Sequence, residues 1–344
     1  MSTRVLLTLV ASAALLCLIG AVAAWPAFVR SWLTATLTWG ALPLGAVAVL
    51  MTHGLTGGRW GDDSRPIWLA LAASMPVFAL ALLPLLFALD PLFSWTRPES
   101  ELPAVVARKT AYLNEPFFVL RTLVYLAIWL ALPWLLGVWQ RRPGHAVHAP
   151  GLIAWLLALT FFSYDWLLSL EPEFYTDILG LILAIGSSAA CFAVGLLVSV
   201  RHLAPAVRTD LANIWLALLL GWVFLVFSQF IVIWSANLPH EIGWFLARRE
   251  GPWPAVNAVA LALFFVLPFA VLLSSAAKRD ARWLTLAAAS CLAGHVLYVQ
   301  YLVLPAFDEQ YPAQLWLGPA AVLALGAAFA WTIGRRLTPA GMPP

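Results

Sequence analysis

The chain has 344 residues, of which 63% are hydrophobic and 10% charged, and its mean hydropathy is +0.90. A water-facing domain carries roughly 25% charged residues, so the composition excludes a soluble globular protein. The net charge of +3 is carried by scattered residues, and no nucleic-acid partner is expected.

The apolar residues come in runs long enough to cross a bilayer. A hydrocarbon core needs roughly 20 apolar residues of helix, and only helices or closed barrels satisfy their backbone there. Ten spans are predicted, making an all-α polytopic membrane protein with one integral membrane domain over residues 1–344. The first is 5–25. Arg4 ahead of it also fits a signal peptide, but the run is long for one and a second span, 34–53, follows at once. The third, 67–90, contains Pro76 and Pro84, and kinks are expected there, as at Pro43, Pro133 and Pro268 in other spans. The fourth, 117–139, carries Arg121 near one end, where it can snorkel or pair with Asp165 or Glu115. The fifth, 151–170, carries Asp165 more than a turn inside its end. The sixth, 178–200, aligns Ser187, Cys191, Gly195 and Ser199 on one stripe, which allows close helix packing. The seventh, 211–235, holds Gln229. The eighth, ninth and tenth are 255–277, 282–304 and 315–333. His295 in the ninth reads best as a polar helix–helix contact.

Lysine and arginine set the orientation. On the side of the termini lie Arg4, Arg59, Arg65, Arg141, Arg142, Arg201, Arg208, Lys278, Arg279, Arg282, Arg335 and Arg336; the opposite loops hold Arg30, Arg97, Arg108, Lys109, Arg248 and Arg249. The richer side, and both termini with it, is expected to be cytoplasmic. Acidic residues gather on the other side, from Glu99 to Glu309, either as a negative field or as plain loop solubilisation. Most of the 19 tryptophans sit near span ends, among them Trp95, Trp166 and Trp244, as an interfacial belt would place them.

Cys17, Cys191 and Cys291 lie inside apolar runs without a CxxC or a cluster, which argues against iron–sulfur or covalent haem ligation. One histidine well inside a span, His295, cannot supply the paired ligands of a b-type haem. No metal and no bound cofactor is expected, with quinone or quinol nearby. The densest polar cluster is expected at the outer ends of spans five to seven. Asp165, Glu171, Gln229, Asn237, His240 and Glu241 contribute to it, with Arg121 as a partner. An intramembrane carboxylate is expensive and leans functional. The cluster reads as a proton relay or a quinone-adjacent site, or as polar ties between helices.

Two stretches carry a family resemblance. Asp165-Trp166 followed by Ser169-Leu170-Glu171-Pro172 resembles the DW…SLEP motif of the second large membrane subunit of alternative complex III, a bacterial quinol:cytochrome c oxidoreductase. Phe227-Ser228-Gln229-Phe230 through Ile233-Trp234-Ser235-Ala236-Asn237-Leu238-Pro239-His240-Glu241 resembles the same family's FSQ…IWYANLPEE stretch, with Trp244 shortly after. The resemblance covers about residues 160–245 by motif and the rest by hydropathy. Ser235 stands for the usual tyrosine and His240 for the usual glutamate. That subunit is polysulfide-reductase-membrane-subunit-like (NrfD-like). The resemblance implies two four-helix bundles with an outer helix on each side. It also implies an iron–sulfur protein, a related ten-helix subunit and a cytochrome c as partners, no activity in isolation, and a place in the bacterial inner membrane. Two other classes compete: a secondary transporter or channel, which would place broken helices at the midplane, and a pure assembly scaffold.

Overall fold

Long apolar runs become helices because lipid offers the backbone no other partner. A computed structural model describes residues 3–139, 145–236, 241–307 and 313–337. In chain order the helices are α1 Thr3–Ala23, α2 Trp25–Thr56, α3 Arg59–Ala72, α4 Met75–Leu82, the short α5 Ala104–Ala107, α6 Glu115–Leu135, α7 His148–Trp166, α8 Leu179–Ser199, α9 Pro205–Ser235, α10 Ile242–Ala247, α11 Trp253–Leu261, α12 Leu267–Leu273, α13 Ala281–Val303 and α14 Gln314–Leu337. Among the described residues nine helical stretches are long and apolar enough to cross a bilayer, and the apolar part of α1, Leu7–Ala23, is shorter. The protein is an all-α, multi-pass membrane protein.

Proline explains two of the interruptions. Pro76 ends the third span's first helix, so α3 and α4 are separate, with Ala73 and Ser74 between them. Pro268 lacks an N–H, and the turn before it, Ala262–Val266, is a π-helix. Pro43, by contrast, lies in an unbroken α2. That helix starts at Trp25, well ahead of the expected residue 34, and its 32 residues extend about 48 Å at 1.5 Å each.

Helices α2, α3–α4, α6 and α7 pack together, as do α8, α9, α11–α12 and α13, and α2 joins the two groups through α8 and α13. Gly45 of α2 lets the helices meet: a Cβ there would stand 2.4 Å from the Ser187 carbonyl oxygen of α8. The small-residue stripe of the sixth span does the same at Gly195, which receives the Trp68 ring. His295 makes the expected helix–helix contact, its Nε2 3.0 Å from the Thr38 carbonyl oxygen. The flanking helices are not one on each side. α1 and α14 pack on each other and α14 on α2, with Gly20 receiving Leu317 and Trp39 donating to the Val322 carbonyl at 2.7 Å.

Loop contacts sort the ends of the helices. Arg208 donates to the Arg279 carbonyl, Lys278 to Asn213 and Arg336 to the Val138 carbonyl at one end. At the other, Arg30 reaches the Pro91 carbonyl and Lys109 the Pro172 carbonyl. These bonds tie neighbouring inter-helix segments to one another at each end. Phe87, Phe224 and Trp331 are among the large apolar side chains facing outward, as a lipid-facing surface requires. Trp95 and Trp166 depart from the expected aromatic belt. Both are buried, in an aromatic stack with Phe93 and Phe118, because the α7 end and the 91–114 segment fold over them.

Candidate functional site

The motif acids lie where the fifth span stops. α7 ends at Trp166 rather than at 170, followed by a 3-10 turn over Leu168–Leu170. Asp165 is therefore in the last turn of the helix, where the unpaired carbonyls already concentrate negative charge. A buried carboxylate there needs a cation. Arg121, on α6, supplies it through two parallel bonds, Nε to Oδ2 at 2.9 Å and Nη2 to Oδ1 at 2.8 Å. Tyr125, one turn along α6, donates its hydroxyl to Oδ2 at 2.7 Å. Arg121 also donates to the Tyr112 carbonyl at 3.0 Å, and its guanidinium lies 3.8 Å over the Tyr112 ring and 4.2 Å over that of Phe117. Asp165 is fully buried and Arg121 only 8% exposed.

Neighbours lock this pair in place. Ser169 donates its hydroxyl to the Asp165 carbonyl, and Trp166 donates to Thr122 Oγ1 at 3.0 Å. In the loop before α6, burial and then the Asp165 charge push the Tyr112 phenol up to about 12. The undecided partner of Arg121 is thus Asp165, not Glu115.

Glu171 meets a different arginine. Arg248 of the turn after α10 donates from Nη1 to Oε1 at 3.1 Å and from Nη2 to Oε2 at 2.7 Å. Its remaining N–H groups go to the carbonyls of Trp244 (2.9 Å), Tyr301 (3.2 Å) and Leu302 (2.9 Å). All five guanidinium donors are used. The Tyr301 and Leu302 carbonyls belong to the last turn of α13, so Arg248 caps that helix with a cation, as the helix dipole favours. The guanidinium also lies 3.6 Å from the Trp244 ring centre, and Arg248 is 2% exposed.

The expected single cluster is two centres. Asp165 with Arg121 belongs to the first bundle; Glu171 with Arg248 ties the α7–α8 turn to the second. Gln229 joins neither. It is 8% exposed and lines a cavity of about 300 Å³ beside Trp244, Tyr298 and Tyr301. Glu241 is half-buried at the start of α10, and no salt bridge is formed by it among the described residues. Asn237 and His240 lie outside the described residues. A second, more open cavity of about 450 Å³ lies over the first centre, lined by Lys109, Tyr112, Tyr164, Ser169 and Asp177. Among the described residues no three His, Cys, Asp or Glu side chains gather as a metal site requires.

Sequence reasoning missed Arg248, Tyr125 and Tyr301. Arg248 was counted with the loop charges. Its signal was that the arginine-poor side spends a basic residue four positions after a tryptophan, at the spacing that lets the two stack. Comparison with protein-family models and with curated proteins gives no match to this chain.

Proposed function

We propose that this chain is a membrane subunit of a respiratory quinol:electron-acceptor oxidoreductase of the alternative complex III kind. In this reading it sits in the bacterial inner membrane with both termini in the cytoplasm. It forms part of the membrane core beside an iron–sulfur protein, a related ten-helix subunit and a cytochrome c. It has no activity alone and holds no redox group of its own.

One observation carries the reading. The segment that resembles the family's DW…SLEP motif runs from the last turn of α7 through a 3-10 turn, and its two acids each hold a buried arginine, Arg121 of α6 and Arg248 of the turn after α10. A rigid, charge-balanced end of this sort suits a docking platform for a peripheral electron-transfer subunit. Asp165 is committed to Arg121 and Tyr125, so its part in any proton exit is electrostatic: it sets the field felt by Tyr112, Tyr125 and a quinol proton nearby. Glu171, Gln229, Asn237, His240 and Glu241 are the remaining polar groups of that end.

A transporter would place paired broken helices at corresponding positions of its two halves. The breaks here are in the second helix of one bundle and the third of the other, which favours the respiratory reading. The test is Asp165→Asn in the assembled complex. Slowed quinol-dependent electron transfer, with all subunits retained, is expected. Normal turnover and normal proton release remove the role given to this centre.

A further inference from the structure

We infer that the open cavity over the first centre binds the headgroup of a phosphoethanolamine phospholipid, with Arg108 and Lys109 on its phosphate and Asp177 on its ammonium. The site is independent of the respiratory role. Two segments build it, 108–113 before α6 and 172–177 between α7 and α8, and they close over the end of α7.

Its depth fits a lipid head. α7 ends at Trp166, so Tyr164 is in its last turn and the cavity lies where hydrocarbon gives way to headgroups. Tyr112, Tyr164 and Tyr175 all line it, and tyrosine is enriched at that level. Leading up to it, Ile153, Leu157 and Phe161 stand at four-residue spacing along one outward face of α7, 62%, 54% and 45% exposed. Tyr164 continues that face to the cavity wall. Acyl chains lying along this stripe bring a glycerophosphate head into the space at its end.

The space is formed before a ligand arrives. Lys109 donates from Nζ to the Pro172 carbonyl at 2.6 Å, which joins the two segments. Tyr112 is held by Arg121, which bonds its carbonyl at 3.0 Å and covers its ring at 3.8 Å. The volume, about 450 Å³, is within the range of roughly 300–1,000 Å³ for small-molecule pockets. Walls fixed in advance lower the ordering cost of binding.

The charges select the head. Arg108 and Lys109 are consecutive, and both line the cavity. Lys109 keeps two N–H donors beyond its bond to Pro172. The Arg108 side chain is exposed and its guanidinium bonds to no described residue, so its planar fork is free for a phosphate. The other segment contributes Asp177, exposed and in no salt bridge among the described residues. A purely anionic head would satisfy the two cations but meet the Asp177 carboxylate as a like charge. A choline head has no N–H to give that carboxylate. A head with both a phosphate and an N–H-bearing ammonium answers all three residues.

Native mass spectrometry of the purified full-length chain tests this, with the chain delipidated in detergent and titrated with dioleoyl phosphatidylethanolamine, phosphatidylglycerol or phosphatidylcholine. The ethanolamine lipid is expected to bind tightest, with the other two about tenfold weaker. Arg108→Gln should weaken it about tenfold, the size of one lost hydrogen bond to a charged group. Asp177→Asn should weaken the ethanolamine lipid by about the same factor and leave the glycerol lipid unchanged or tighter. Both side chains are exposed in loops, so the variants keep the parent's fold. Glycerophosphoethanolamine, which has the head but no acyl chains, should not compete at equal concentration. Equal affinity for the three lipids, or variants that bind like the parent, overturn the assignment. Tightest binding of the glycerol lipid overturns the ethanolamine head, and competition by glycerophosphoethanolamine as strong as the lipid's overturns the lipid source.

Discussion

Removing Arg121 should cost more than removing Arg121 and Asp165 together. The carboxylate is fully buried and accepts three bonds, two from Arg121 and one from Tyr125. Arg121→Met leaves that charge in the last turn of α7 with the helix dipole against it, a further cost of about 0.3–2 kcal/mol. Breaking one side of a buried pair costs about 3–5 kcal/mol. Replacing both sides by apolar residues of similar size removes the uncompensated charge and is often close to neutral. Unfolding titrations of the detergent-solubilised chain, with Arg121→Met, Asp165→Leu and the double variant, measure the coupling. The double variant is expected to be more stable than the Arg121→Met single. Single losses below about 1 kcal/mol, the range of exposed surface pairs, or a double loss equal to the sum of the singles, refute the description of this centre as a desolvated pair.

Three further outcomes follow from the geometry. Arg248→Lys should not restore what Arg248→Met loses, since one ammonium cannot serve Glu171 and three carbonyls at once; faster hydrogen exchange over 241–252 and the end of α13 reports it. Gly294→Ala should cost about 1–3 kcal/mol as overpacking, because its Cβ would stand 2.3 Å from the Phe264 nitrogen of the π-helix, whereas Gly318→Ala, with nothing within 4 Å, should be neutral within about 0.5 kcal/mol. The Tyr112 phenol, held neutral by burial and by the Asp165 charge, titrates at about 12 rather than 10. The folded chain keeps that proton where the unfolded chain loses it, so this contribution to stability is whole below pH 10 and falls as pH rises toward 12. A difference titration at 295 nm against Tyr112→Phe should show no phenolate from this residue at pH 10.5.

The spans were readable because lipid imposes a length and a composition on every crossing helix, and proline at 76 and 268 marked the breaks. Asp165 stood out because a carboxylate in an apolar run is costly wherever it lies. Its partner was not readable. Arg121 is 44 positions away, Glu115 is on the same helix, and choosing between them requires the packing of α6 on α7. Glu171 looked like a wet loop acid and a neighbour of Glu241. Only the fold of α10 against the end of α13 brings Arg248 under it. The boundaries at Trp25 and Trp166 moved for a similar reason. Hydropathy marks where apolar character stops, while the helix end is set by what caps it. The cavity over the first centre was invisible as well, because its walls come from two segments, 108–113 and 172–177, that meet only in the fold.

The most direct measurement is purification of the tagged chain from native membranes in mild detergent, with its companions identified by mass spectrometry. A stable assembly containing an iron–sulfur protein, a second ten-span subunit and a c-type cytochrome, active in quinol oxidation, is the expected result. A chain that elutes alone, or that drives solute uptake by itself in vesicles, contradicts a respiratory role.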